Sequence, residues 1–418
     1  MPRIVVKFGG TSVADVARIE RAADKVVREV KRGNQVAVVV SAMAGVTNQL
    51  VEYCHQIAPY QDAQEYDAVV SSGEQVTSGL MALALQKRGV KARSWQGWQV
   101  PIRCDNSHGR ARIRDIGGEA MKESLSGGEV AVLAGFQGLS KTNRITTLGR
   151  GGSDTSAVAL AAVLAADRCD IYTDVDGVYT TDPRVVPAAR KLPMISYEEM
   201  LEMASMGAKV LQVRSVEMAM KRDVPVQVLS SFDDAIGSDM PGTLVTKEGN
   251  IMEKEIVSGI TCQRNEAKVT LLNVQNKPGV AATVFAPLAA AKVNVDMIVQ
   301  NVGHDGKTTD ITFTVAKTDL QTTLSLLENS TDFECEAVLS NGSLARVSVV
   351  GIGMKSHAGV AKTMFETLGR HKINIHVIAT SEIKISVLID DSYAEEAIRA
   401  LHEAYGLEKS NHDDKNNG

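Results

Sequence analysis

The chain has 418 residues and a formal net charge of −5, from 50 acidic against 45 basic side chains, with 44% hydrophobic and only 4% aromatic residues. A length of this order holds about two to three domains, and its apolar share is enough for sizeable cores. The balanced charge and scarce rings argue against a nucleic-acid partner or an anionic membrane surface, and the longest apolar run, Ala157 to Ala166, falls far short of the roughly 18–20 residues that span a bilayer.

In chain order, Arg3 to Phe8 and Val36 to Ser41 read as buried, Val-rich strands. Between them Val16, Ile19, Ala23, Val26, Val27 and Val30 recur at helical spacing, and Gly33 stands where such a helix would stop. This is a β-α-β unit, hence a right-handed crossover and parallel pairing. Glu129 to Phe136 predicts a strand, Ser153 to Ala166 an Ala-rich helix and Asp170 to Thr173 a further strand. The expectation over 1–230 is therefore an α/β domain, a mostly parallel sheet sandwiched by helices. A polar, turn-rich stretch over 231–252, with Asp233-Asp234, Pro241-Gly242 and Glu248-Gly249, reads as a linker.

An internal repeat follows. Gly279-Val-Ala-Ala-Thr-Val-Phe285 matches Gly359-Val-Ala-Lys-Thr-Met-Phe365 at an offset of 80, and the match runs on through Leu288 with Leu368 to Ile298 with Ile378. Each copy reads strand, Gly-led helix, strand, strand, helix. Only the first ends in a further strand, about Glu334 to Leu339, so the second must borrow one, best supplied by Ile256 to Cys262. This strand count predicts two ferredoxin-like βαββαβ modules, one at 267–341 and one from 253–266 with 342–406, nested around the first. The polar end, 407–418, reads as disordered.

Arg3 to Lys7 carries no apolar signal-peptide region. Five cysteines without a CxxC and eight histidines without metal-ligand spacing point to free thiols in a reducing cytoplasm and to no resident metal.

Several loops carry candidate chemistry. Lys7-Phe-Gly-Gly-Thr-Ser12 joins the first strand to the first helix. Its glycines would let backbone N–H groups approach an oxyanion at a helix start, although the lysine precedes the glycines and the segment is no Walker A loop. The alternative is a tight turn beside a surface lysine. Gly149-Arg-Gly-Gly-Ser-Asp-Thr155 repeats the device with a guanidinium for a substrate carboxylate and a carboxylate to position Lys7 or assist proton transfer. It imitates a hydrolase elbow, but residue 155 is Thr and no His partner is evident. Tyr172 to Arg184 is crowded with donors and acceptors that suit a nucleotide, though Asp-Gly and Asp-Pro are also common turn formers. Glu74, in Ser71-Ser-Gly-Glu74, suits a substrate ammonium or simply serves a helix dipole. Gly351-Ile-Gly-Met-Lys-Ser356 imitates a dinucleotide fingerprint; the repeat-equivalent Leu271 to Asn276 lacks those glycines, and that reading is rejected.

Taken in order, Lys7-Phe-Gly-Gly-Thr-Ser-Val13, Val39-Val-Ser-Ala-Met43, Ser72-Gly-Glu74, Gly135-Phe-Gln-Gly138, Thr147 to Asp154 and Thr173 to Tyr179 resemble the aspartokinase family. Its kinase half belongs to the amino acid kinases, and its tail is a pair of ACT regulatory domains. The resemblance spans about residues 2 to 406. It implies phosphorylation of L-aspartate by ATP with Mg2+ to 4-phospho-L-aspartate, the first step toward lysine, threonine and methionine. It also implies roles. Lys7 would stabilise the transferred phosphoryl group, with amides from Gly9 and Gly10, and Asp154 would orient the lysine. Arg150, with Gly151, Gly152 and Ser153, would take the α-carboxylate of aspartate, Glu74 its ammonium, and Ser41 and Thr47 would lie near the β-carboxylate. Thr173, Asp174, Tyr179, Arg184 and Lys209 would hold ATP. Effector candidates are Lys277, Gly279, Val280, Ala281, Ala282, Asn294, Asp296 and Gln300 in the first module, and Gly359, Val360, Asn374, Ile375 and Glu382 in the second. Lysine, threonine or both are the expected inhibitors. A homo-oligomer through the ACT domains is implied, and a shorter regulatory subunit could begin near Met252. The alternatives are a catalytically silent amino-acid sensor and another amino acid kinase such as glutamate 5-kinase.

Overall fold

β-branched runs with no polar interruption stack into a sheet buried on both faces, and the computed structural model shows this at the centre of the first part of the chain. It describes residues 1–58, 62–208, 210–251, 255–304, 306–357 and 359–408. The chain divides into two units: Met1–Tyr179 with Lys191–Glu253, and Thr180–Arg190 with Lys254–Gly418.

In the first unit an eight-stranded sheet runs in the order Met194–Ser196, Thr243–Thr246, Val226–Ser230, Arg168–Thr173, Arg3–Phe8, Gln35–Val40, Val130–Ala134, Ala92–Trp95. All neighbouring pairs are parallel except Val226–Ser230 with Thr243–Thr246. Apolar side chains of the Val16–Lys31 and Ser72–Lys87 helices, among them Ile19, Val26, Met81 and Leu85, pack on the strand residues Ile4, Val6, Val38 and Val132. A second sheet, ordered Ile113–Ile116, Ile102–Cys104, Gln137–Leu139, Ile145–Thr147, carries the strand that leads into the Gly149 loop. The stretch read as a linker over 231–252 instead supplies the Thr243–Thr246 strand of the main sheet. Its turn-rich composition hid a four-residue strand with a neighbour on each side.

The second unit is one six-stranded sheet in which two long strands serve both repeats. Gly259–Gln275 and Ala337–Val350 lie side by side, antiparallel, at its centre. Val295–Val302 and Thr308–Ala316 extend one side, Lys384–Asp390 and Val377–Thr380 the other. The beginning of the first long strand, Gly259–Gln263, pairs with Arg346–Val350, beside the second repeat. Each half therefore has a βαββαβ strand order, and each has its own core: Val269, Leu271, Val284 and Phe313 in one, Val347, Val349, Met364 and Leu401 in the other. Thr180–Arg190 belongs to this unit, where Val186 joins the second core and Ile260 N–H donates to Thr180 O at 2.7 Å. The boundary expected at residue 230 misses this excursion, because eleven residues carry no composition signal of their own.

The polar end departs from expectation at its start. Leu407 is buried in the second core, and its N–H donates to His402 O at 3.1 Å; residues 409–418 and Met252 lie outside the described residues. Leu407→Ala should lower stability by about 2–3 kcal/mol, the usual cost of emptying a buried leucine site. Urea unfolding of the full chain would show it, and an unchanged midpoint would place Leu407 in solvent.

Candidate active site

Lys7 sits near the end of the Arg3–Phe8 strand, and Asp154 lies in the first turn of the Gly152–Leu164 helix. Lys7 Nζ and Asp154 Oδ1 are 2.5 Å apart, with both side chains largely buried. The helix start adds a positive dipole end to the same place. Gly9 follows closely: a Cβ there would come within 3.3 Å of Lys7 Nζ. Its amide, expected to meet a phosphoryl oxygen, instead donates to Tyr172 O at 3.2 Å and extends the sheet. Gly10 opens the short Gly10–Val13 turn, where leading amides have no partner within the turn. It lies under the chain at Ala42, whose carbonyl oxygen would be 3.1 Å from an added Cβ.

Glu74 approaches from the Ser72–Lys87 helix, one turn past Ser71. It is 3% exposed; Oε1 accepts from Ala42 N–H at 3.0 Å, and Oε2 has no hydrogen-bond partner among the described residues. Burial pushes its carboxyl up to about 7. Ser41 directly follows the Gln35–Val40 strand, its N–H donating to Phe8 O at 3.1 Å. Thr47, half-buried, lies in the first turn of the Val46–Ile57 helix. The two helix starts touch: an added Cβ on Gly73 would be 2.7 Å from Ala42 Cβ and 3.2 Å from Val46.

Arg150 is exposed, and no ion pair is seen for it among the described residues. Gly151 has φ +71°, and an added Cβ would be 2.0 Å from Gln212, so glycine is required twice over. Gly152 and Ser153 are buried against Leu148, Phe136 and Gly135. Arg214 donates to the carbonyls of Leu148 and Ala111 and so fixes the approach to this loop. Sequence reading passed over Arg214, since a lone arginine in an amphipathic helix looks like any solvated one.

Across the sheet, Thr173 O accepts from Ser231 Oγ at 2.7 Å, and Ser12 Oγ is 2.9 Å from Ser231 Oγ. This ties the glycine turn to the Thr173–Tyr179 loop. Asp174 is exposed, and Tyr179 OH donates to Asp176, which Lys191 Nζ also meets at 3.0 Å. Arg184, expected with these, lies on the excursion of the second unit and pairs with Asp182 at 2.7 Å; Lys209 lies outside the described residues.

The effector candidates lie in the two βαββαβ repeats. Lys277, Ala282, Asn294, Gln300, Gly359, Asn374 and Glu382 are exposed, and Ala281 and Ile375 are half-buried. Gly279 caps its helix with φ +91°, whereas Gly359 has φ −84°. The side chains of Val280 and Val360 fill the two cores. Asp296 pairs with the buried Arg346, which also meets Glu266 Oε1 at 2.6 Å, so its carboxylate already faces a cation.

No helix among the described residues is long and apolar enough to cross a membrane. The sequence profile of the amino acid kinase family matches residues 2–230, and ACT domain profiles match 268–330 and 347–405. An aspartate kinase of Pseudomonas putida is 52% identical over 410 residues, 98% of each chain, and an aspartokinase of Mycolicibacterium smegmatis is 46% identical over 417, 97% of each. The crystal structure of E. coli aspartokinase III in complex with aspartate and ADP superposes with a TM-score of 0.79 at 30% identity, covering 96% of this chain and 99% of that one. The same enzyme in complex with lysine and aspartate gives 0.74 at 30% identity, covering 96% and 98%.

The raised carboxyl of Glu74 has a stability consequence. A folded carboxyl near 7 against an ordinary 4.5 keeps a proton that the unfolded chain has lost, so the unliganded protein should lose up to about 3 kcal/mol as pH rises from 4.5 through 7. Glu74→Gln should flatten that slope in unfolding measurements across the window; an identical slope would contradict the buried, unpaired carboxyl.

An ion-paired lysine between glycine loops, a kinase sheet, two βαββαβ repeats and relatives matched end to end place this chain in the aspartate kinase family, among the amino acid kinases that carry paired ACT domains.

Proposed function

We propose that this aspartate kinase joins the γ-phosphoryl group of ATP, supplied with Mg2+ as one co-substrate complex, to the β-carboxylate of L-aspartate. A β-carboxylate oxygen attacks the γ-phosphorus, the bond to the β,γ-bridging oxygen breaks, and ADP leaves with that electron pair. No proton need move, because the nucleophile is already an anion. The obstacle is charge: a carboxylate must approach a triphosphate, so positioned cations and dipoles do most of the work.

The observation that carries this reading is the Lys7–Asp154 pair at the head of a buried helix. Asp154 holds the ammonium extended and needs no role as a base. Lys7, the Gly10 turn and the helix start would face the transferring group. Arg150 would clamp the α-carboxylate, and the free Oε2 of Glu74 would meet the ammonium, with Ser41 and Thr47 beside the reacting carboxylate. Thr173, Asp174 and Tyr179 would border the nucleotide. The aspartate and ADP bound by the E. coli relative support both substrates, and the lysine bound by its other form supports lysine as an effector here. Lysine, threonine or both would act at the helix starts of the ACT repeats, in an assembly built through those modules. The reaction would open the route to lysine, threonine and methionine.

A coupled ADP-release assay tests this. Aspartate should support turnover, whereas glutamate and N-acetylglutamate should not, and lysine or threonine should slow it. Lys7→Ala should lower kcat by about 10²–10³-fold, as for loss of a charge aimed at the transition state. Arg150→Ala should act mainly on the KM for aspartate, raising it about tenfold or more. Unchanged turnover in Lys7→Ala, or an equal response to glutamate, would overturn the assignment.

A further inference from the structure

One buried acid in the kinase unit takes no part in the reaction as described, yet touches both sides of the aspartate site. Asp67 is 0% exposed and lies in the Ala63–Val70 helix. Its Oδ1 accepts from Thr147 Oγ1 at 2.6 Å and from Gly109 N–H at 3.1 Å; its Oδ2 accepts from His108 Nδ1 at 2.8 Å and from Gly109 N–H at 3.0 Å. A carboxylate this deep is costly to bury unless its oxygens are satisfied. Here three donors satisfy them, and among the described residues His108 is the only titratable side chain bonded to it.

What those donors belong to gives Asp67 its meaning. Thr147 ends the Ile145–Thr147 strand, and three residues later the chain reaches Arg150. That short span is stiff: Ala111 N–H bonds Thr147 O at 2.9 Å, Leu148 N–H bonds Phe136 O at 2.9 Å, and an added Cβ on Gly149 would be 3.1 Å from Gly109 O. On its other side, the Asp67 helix ends at Ser71, and the next helix begins at once with Ser72 and carries Glu74 in its first turn. The junction is itself tied down, because Gln137 Nε2 donates to Ser71 O at 3.1 Å. One carboxylate therefore joins the segment that presents Arg150 to the segment that presents Glu74.

We propose that Asp67 is a positioning residue that sets the distance between the two arms reading the α-carboxylate and the ammonium of the amino-acid substrate. This rests on the assignment of Arg150 and Glu74 to those two groups. An amino acid offers its carboxylate and ammonium at a fixed separation across one carbon. Two arms on different elements read both groups only if something holds the elements in register, and a misplacement of about 1 Å is enough to cost a large factor in binding or rate. The Thr147–Asp67 bond is a charge-assisted O–H···O⁻ contact, the short, directional kind suited to that task. The nucleotide side has no element in this network, so the effect should be confined to aspartate.

The test is steady-state kinetics on the full-length enzyme with melting curves for every variant. Thr147→Val, nearly the same shape but without the donor, should raise the KM for aspartate about tenfold, with the KM for ATP within about twofold and kcat within about threefold. Thr147→Ser should restore wild-type values, since it returns the hydroxyl. Asp67→Asn keeps an acceptor for Thr147 and should change the KM for aspartate less than Thr147→Val does. The double variant Asp67→Ala with Thr147→Val should be no worse than Asp67→Ala alone. If Asp67→Ala does not fold, the Thr147 pair decides. Equal shifts in both KM values, no shift at all, or no rescue by serine would overturn the proposal. Glu74→Gln and Arg150→Ala, measured alongside, separate the two levels. If they raise the aspartate KM while Thr147→Val does not, only the positioning role fails. If they leave it unchanged, the arms are wrongly assigned and the proposal falls with them.

Discussion

A lysine ammonium 2.5 Å from a carboxylate, both largely buried at the end of a parallel strand, is costly to remove from water, and only close geometry offsets that cost. Much around the catalytic site follows from holding that pair. The strand that carries Lys7 is flanked by parallel neighbours on both sides and so cannot shift without dragging the sheet. The helix that carries Asp154 starts against Gly135 and Phe136, where glycine at 152 leaves room for close approach. Glycine stands where the chain closes on this pair: an added Cβ on Gly9 would lie 3.3 Å from Lys7 Nζ, and one on Gly152 would meet Leu148 and Phe136.

The regulatory unit solves a different problem with the same economy. Two repeats share one sheet through two long central strands, and near their crossing the equivalent positions 266 and 346, an offset of 80, hold opposite charges. Glu266 and Arg346 pair with each other, and Arg346 also takes Asp296. The second repeat has His376 at the position of Asp296, and it pairs with Asp390 at 2.9 Å. The repeats match in sequence but differ in these charges, with one acid neutralised by the other repeat and one histidine held within its own.

Much of this was legible in the sequence because it rests on short-range rules. Val-rich runs gave the central strands, the strand count gave the need for a borrowed strand, and glycines next to Lys7 and Arg150 marked the loops. What escaped depends on long-range partners. Gly9 looked like an amide donor because its bond to Tyr172 O joins residues far apart in the chain. Asp67 and Arg214 gave no signal at all, since an acid among alanines and valines, or a base in a helix, is ordinary until the segments that they hold are known.

Lys7 and Asp154 are expected to work as one unit, and a double-mutant cycle on phosphoryl transfer measures this directly. With both substrates saturating, rapid-quench rates for Lys7→Met, Asp154→Asn and the double variant give the coupling. If Asp154 acts by holding the ammonium, the double variant should be about as slow as Lys7→Met alone, because nothing is left to hold. Losses that simply multiply would show the two side chains acting independently, and would contradict the account.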